Sequence, residues 1–135
     1  MTRLLPLVMI APAALTLTAA QPVPTLADAH PGLWEISASG GKVLARQCVA
    51  EIAALARFEH RGKLCSARVL KSSGSSAAIE YSCGGAGFGH SDIAVLTPRS
   101  LRISTQGISD GLPFNYLLQA RRIGDCPENL ATTRH

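Results

Sequence analysis

Residues 64–84 read Leu-Cys-Ser-Ala-Arg-Val-Leu-Lys-Ser-Ser-Gly-Ser-Ser-Ala-Ala-Ile-Glu-Tyr-Ser-Cys-Gly. Two alternating runs flank a serine–glycine turn, with a cysteine at each foot. Folding the stretch about Gly74 sets Cys65 opposite Cys83, Ala67 opposite Tyr81 and Val69 opposite Ile79, all on one face because strand side chains alternate. The other face then pairs Arg68 with Glu80 and Ser66 with Ser82, both favourable across antiparallel strands. A slip of one residue would mix the two sets. Directly opposed cysteines lie within disulfide reach, so this register predicts a Cys65–Cys83 bridge.

Outward from this hairpin, the flanking segments give further strands. Gly32 to Ala38 alternates with Trp34, Ile36 and Ala38 on one face, then Ser39-Gly40-Gly41 turns the chain into a second strand, Lys42 to Gln47. After Cys48 the period lengthens. Ile52, Leu55 and Ala56 share a helical face while Glu51 and Arg57 point away, predicting a short amphipathic helix over 49–59, with Gly62 at its end. Downstream, Gly84 to Gly89 reads as a mobile connection. Ser91 to Thr97 and Ser100 to Gln106 then form a hairpin around Pro98-Arg99, with Ala94 expected opposite Ile103 and Leu96 opposite Leu101. Ser109-Asp110-Gly111-Leu112-Pro113 is a turn signal, and Phe114 to Ile123 a last strand. The expected fold is mainly β (α+β): one antiparallel, curved or partly closed sheet of about seven strands with one short helix packed on it.

Four cysteines leave none over. With Cys65–Cys83 formed, Cys48 and Cys126 remain to join the second strand to the end of the last. The alternative connectivity, Cys48–Cys65 with Cys83–Cys126, would clamp the helix at both ends. Paired cysteines in a chain of 135 residues suit an oxidising compartment. The start agrees: Met1-Thr2-Arg3 is a short positive lead, Leu4 to Leu17 is almost wholly apolar, and Thr18-Ala19-Ala20 offers a cleavage site after Ala20. That apolar run is shorter than a membrane span and is broken by Pro6 and Pro12. The expected organisation is a signal peptide over 1–20, an extended linker over 21–31, a disulfide-stapled domain over 32–126 and a loose tail over 127–135. No membrane span is expected in the mature chain, and its expected location is the periplasm.

Pro31-Gly32-Leu33-Trp34-Glu35, Gln47-Cys48, Tyr81-Ser82-Cys83 and Arg122-Ile123-Gly124-Asp125-Cys126 resemble a family of exported proteins of Gram-negative bacteria, domain of unknown function 3617. The resemblance spans about Pro31 to Cys126. It implies a periplasmic, disulfide-bonded, mostly β domain and no particular activity. The chain departs from the pattern at the tight turn Ser39-Gly40-Gly41-Lys42, where many members carry a Met- and Pro-rich insert.

Motifs with chemical potential have simpler readings. Gly85-Ala86-Gly87-Phe88-Gly89 precedes a strand, whereas a phosphate cradle precedes a helix. His90-Ser91-Asp92 holds the residue types of a hydrolase triad, but consecutive strand residues face opposite ways. Ser39-Gly40-Gly41-Lys42 matches a penicillin-binding pattern without its companions, and is a turn. His30, His60, His90 and His135 are scattered and read as surface residues, and no Cys-x-x-Cys pair exists, so neither a metal nor another cofactor is expected. Arg57, Arg61 and Lys63, together with Arg121 and Arg122, could form a basic patch for anionic headgroups or wall polymers. Six aromatics provide no stacking platform for nucleic acid. The expected role is a non-enzymatic domain binding an envelope protein, or an amphiphilic, lipid-like ligand held between sheet and helix. Phe88, His90, Arg121 and Arg122 are its candidate contacts. Alternatives are an inhibitor of a lysozyme-type wall-degrading enzyme, with Phe88 or His90 on a protruding loop, and a small hydrolase using His90 or Ser91.

Overall fold

In the computed structural model, residues 24–128 are described. The expected leader over 1–20 and most of the expected tail lie outside them. Seven strands, β1 (Gly32–Ala38), β2 (Val43–Val49), β3 (Ser66–Ser72), β4 (Ser76–Ser82), β5 (Gly87–Thr97), β6 (Ser100–Ser109) and β7 (Leu112–Gly124), form one sheet in the order β2-β1-β7-β6-β5-β4-β3. Every pairing is antiparallel. The sheet is open, with β2 and β3 as its edges. β3 to β7 form a continuous meander, and β1 joins it by pairing with β7.

The β3–β4 hairpin has the predicted register from Ser66↔Ser82 through Val69↔Ile79. A bulge at Leu70 then shifts the partners to Lys71↔Ala78. Arg68 and Glu80 form their ion pair at 2.8 Å, and Cys65–Cys83 is bridged across 4.1 Å between Cα atoms. Cys48 bridges Cys126, the first of the two connectivities. The two staples sit near opposite edges of the sheet.

The β5–β6 register differs from expectation by one residue. Ile93 faces Ile103 and Val95 faces Leu101, while Thr97 pairs with Ser100 beyond a bulge at Leu96. The bulge leaves Leu96 in solvent and sets Ile93 on the buried face with Ile103 and Leu101. The expected register would have buried Leu96 and turned Ile93 outward. Asp110 and Gly111, at φ 49° and 80°, make the two-residue β6–β7 turn, whose twist matches that of the flanking strands.

Ile52–His60 is a 3₁₀ helix, tighter than expected and displaced towards its C-terminal end. Arg57 leaves helical geometry at φ −104° and ψ 35°. Ile52, Leu55 and Ala56 face inward as the periodicity predicts, and the irregularity also turns Phe58 and His60 inward. His60 is therefore buried, contrary to its surface reading. The helix lies over β4, β5 and β6, and its apolar residues join Trp34, Ile36, Ile79, Ile93, Leu101, Ile103 and Leu118 in one core. The described part of the expected linker is also ordered. Leu26 is 1 % exposed in that core, and backbone N–H groups of Leu26, Asp28 and His30 donate to the carbonyls of Ser73, Gly74 and Pro98. A large apolar side chain among small and polar ones gives this segment enough to bury that it packs instead of trailing.

Candidate functional site

The helix covers one face of the sheet; the opposite face is bare among the described residues and carries an open groove of about 700 Å³. Its geometry follows from strand alternation. Three consecutive cross-strand rows build it. The middle row, Ala67–Tyr81–Gly89–Gly107–Phe114, turns its side chains towards the helix, so only its backbone forms the floor. On one side stands a polar wall, Arg68–Glu80–His90–Gln106–Asn115. On the other stand Ser66 and Ser82, then Phe88 and Ile108. The groove thus runs across the strands.

The floor is held from below. Gly89 lacks a side chain because the Tyr81 ring lies over it; a Cβ there would meet the Tyr81 hydroxyl oxygen at 2.5 Å. The Tyr81 hydroxyl lies 3.1 Å from His60 Nδ1, while His60 Nε2 lies 3.0 Å from the Ala86 carbonyl. A carbonyl only accepts, so Nε2 carries the proton, and in the neutral ring Nδ1 accepts from Tyr81. The His60 ring also meets Phe114, with ring centres 5.8 Å apart. Farther under the sheet, Tyr116 donates to the Glu59 carboxylate. Burial raises the pKa of both tyrosines. The Glu59 hydrogen bond and charge add to this at Tyr116, whereas at Tyr81 a Thr105 contact partly offsets it and the Glu59 charge adds.

Two of the four candidate contacts, Phe88 and His90, line this groove on opposite walls. Phe88 is 55 % exposed, and His90 Nε2 lies 3.2 Å from the Asp92 carboxylate. Both belong to strand β5, not to a protruding loop. The supposed mobile connection is a single turn, Gly84–Ala86, followed directly by that strand. Arg121 and Arg122 belong elsewhere. Arg121 approaches Glu35 at 3.4 Å, and Arg122 bonds Asp125 at 2.6 Å and the Pro31 carbonyl at 2.8 Å. Arg57, Arg61 and Lys63 line a separate cavity beside Gln47 and Cys65, so the five basic residues form no common patch. Arg68, Glu80, Gln106, Ile108 and Asn115 were not singled out from sequence. The correct hairpin register signalled only the first two.

Ser91 faces away from His90 and Asp92. It is wholly buried and donates to the Ala56 carbonyl, with the Thr105 hydroxyl 2.7 Å away. It ties helix to sheet. Leu55, Ala56, Ile93 and Ile103 pack between sheet and helix, and beside them a smaller pocket of about 170 Å³ opens between Ala53, Ala54 and Ala56 of the helix and Ala67, Ile79 and Tyr81 of the sheet. The larger groove lies on the other side. Among the described residues no group of three or more His, Cys, Asp or Glu could hold a metal ion, and no helix is long and apolar enough to cross a membrane.

Residues 29–126 match the family described as protein of unknown function (DUF3617). The chain belongs to the DUF3617 family. The matched span runs from the buried Ala29 to Cys126, taking in all seven strands and both disulfides. This DUF3617 domain matches no curated protein and no solved structure.

Proposed function

We propose that this DUF3617 domain is an exported, non-enzymatic protein of the bacterial envelope that binds an envelope protein or an amphiphilic ligand along its bare sheet face. The groove carries the reading: a site of about 700 Å³ with one polar wall and a second wall bearing an exposed phenylalanine. A few placed polar groups beside apolar surface are the composition of a recognition site. The wall side chains offer hydrogen bonds and contact area but no nucleophile held by a base. Export is supported by the leader-like pattern over 1–20 and by cysteines all committed to disulfides.

The test places a photo-reactive amino acid at position 88 in the full chain, expressed in a Gram-negative host and irradiated in intact cells. A matched position, Gly40, lies in the β1–β2 turn with no atom near its would-be side chain. The expected result is an adduct from the envelope fraction at 88 and none at 40. Equal labelling at both positions, or a protein retained in the cytoplasm with reduced cysteines, would overturn the reading.

A further inference from the structure

We infer that the groove takes a single strand of a neutral, β-linked glycan laid across the strands. The inference rests on the proposal that this sheet face is a binding surface, and it replaces the protein or amphiphile named there with a glycan as the occupant of the groove.

Charge comes first. Arg68 pairs with Glu80 at 2.8 Å, so the two ionic groups of the polar wall answer one another and ask no net charge of a ligand, while the His90 ring is held 3.2 Å from the Asp92 carboxylate. Among the described residues, the amides of Gln106 and Asn115 on the polar wall have no side-chain partner. Each amide both donates and accepts, as a sugar hydroxyl does. The opposite wall presents Phe88 and Ile108, cross-strand partners, to the C–H face of a ring.

Dimensions narrow the choice. Neighbouring outward-facing rows on a strand are about 7 Å apart, which admits one pyranose ring, whereas a helix needs about 10–12 Å. Five strands at about 4.8 Å spacing give a run of about 19 Å, and one spacing is close to the length of one sugar unit. Each successive sugar therefore meets the side chains of a new strand. A lipid tail would lie along the polar wall and strip water from its amides without replacing their hydrogen bonds. An extended peptide needs partners for its own backbone, but the floor's peptide groups are committed to the sheet ladders.

The experiment titrates the full mature protein with chitohexaose, cellohexaose and chitobiose, following backbone amides by NMR. Binding of either hexamer with shifts centred on Phe88, Gln106 and Asn115 is expected, with the chitobiose affinity at least about tenfold weaker than that of chitohexaose. Phe88→Ala and Gln106→Ala should each weaken binding about tenfold, and Phe88→Tyr should retain it. These side chains are exposed, and the same spectra report whether each variant is folded. Silence of both hexamers, or shifts confined to the helix side, overturns the glycan assignment. If position 88 then still captures a protein or a lipid in cells, the binding face stands and only its ligand class falls.

Discussion

Tyr116 carries a hydroxyl tucked against the helix, and its protonation is coupled to folding. Burial, then the hydrogen bond to Glu59 and the charge of that carboxylate, raise its pKa above the usual tyrosine value. Below about pH 10 both the folded and the unfolded chain keep this proton, so the contribution to stability is whole. As pH rises further the unfolded chain loses its proton first. The folded state then binds more protons than the unfolded one, and stability falls with increasing pH. Tyr81 is shifted in the same direction and adds to the slope. Tyr116→Phe should cost about 1–2 kcal/mol at neutral pH by removing the partner of Glu59. It should also make the loss of stability above pH 10 shallower. Urea unfolding across this range, with phenolate absorbance read alongside, checks both; a variant with the parent's slope would separate Tyr116 from the effect. Little of this was legible in sequence. Tyr116 fell on a strand of clear character, but Glu59 and His60 belong to a helix whose tightening and irregularity at Arg57 do not follow from a 3.6-residue period.

Among the elements, β5 departs furthest from expectation, and its glycines explain why. Gly87 and Gly89 resemble loop residues when read locally. In the sheet Gly89 lies between two paired neighbours with Tyr81 in the space over it, while Gly87 pairs with Ser109 alone and, at φ 121°, faces the Ile108 carbonyl. Their missing side chains answer close approach across strands, a cause not visible within the segment. The β3–β4 hairpin was legible because two independent constraints, a cysteine pair and an Arg–Glu pair, demand one register. The β5–β6 hairpin carries no such marker. Folding about its turn finds only the nearest pair, Thr97 with Ser100, before the Leu96 bulge shifts the rest. The same reasoning singles out Gly107. A Cβ there would stand 2.1 Å from the Phe88 carbonyl oxygen and 2.7 Å from the Gly89 Cα, both backbone atoms that cannot swing aside. Gly107→Ala should therefore destabilise by about 2–4 kcal/mol and disturb the groove floor. Gly40→Ala, with nothing within 4 Å, should stay within about 0.5 kcal/mol of the parent. Chemical denaturation of both variants decides it: equal midpoints would show that β5 and β6 can part freely at that point.

At the scale of the whole domain, the described residues cover one face of the sheet, so their apolar burial lies in a single layer between sheet and helix. A domain with a layer this thin gains much of its margin from covalent closure. The disulfides occupy complementary places. Cys65–Cys83 closes 18 residues at the β3 edge, and Cys48–Cys126 closes 78, binding the β2 edge to the end of β7. Loop closure in the unfolded chain gives about 3 kcal/mol for the first and about 4.5 kcal/mol for the second. Together they rival the total stability of many domains, about 5–15 kcal/mol. The Cys48→Ala/Cys126→Ala variant should consequently lose more than the Cys65→Ala/Cys83→Ala variant, although the bridge it removes lies farther from the groove. Removing all four cysteines should leave a chain largely unfolded at 37 °C in dilute buffer. Urea midpoints of the two paired variants and the circular dichroism of the cysteine-free chain test the ranking. A cysteine-free protein that kept the parent midpoint would mean that the layer beneath the helix suffices alone. In that case the bare face would rest on a scaffold held by packing, and its groove would survive reduction unchanged.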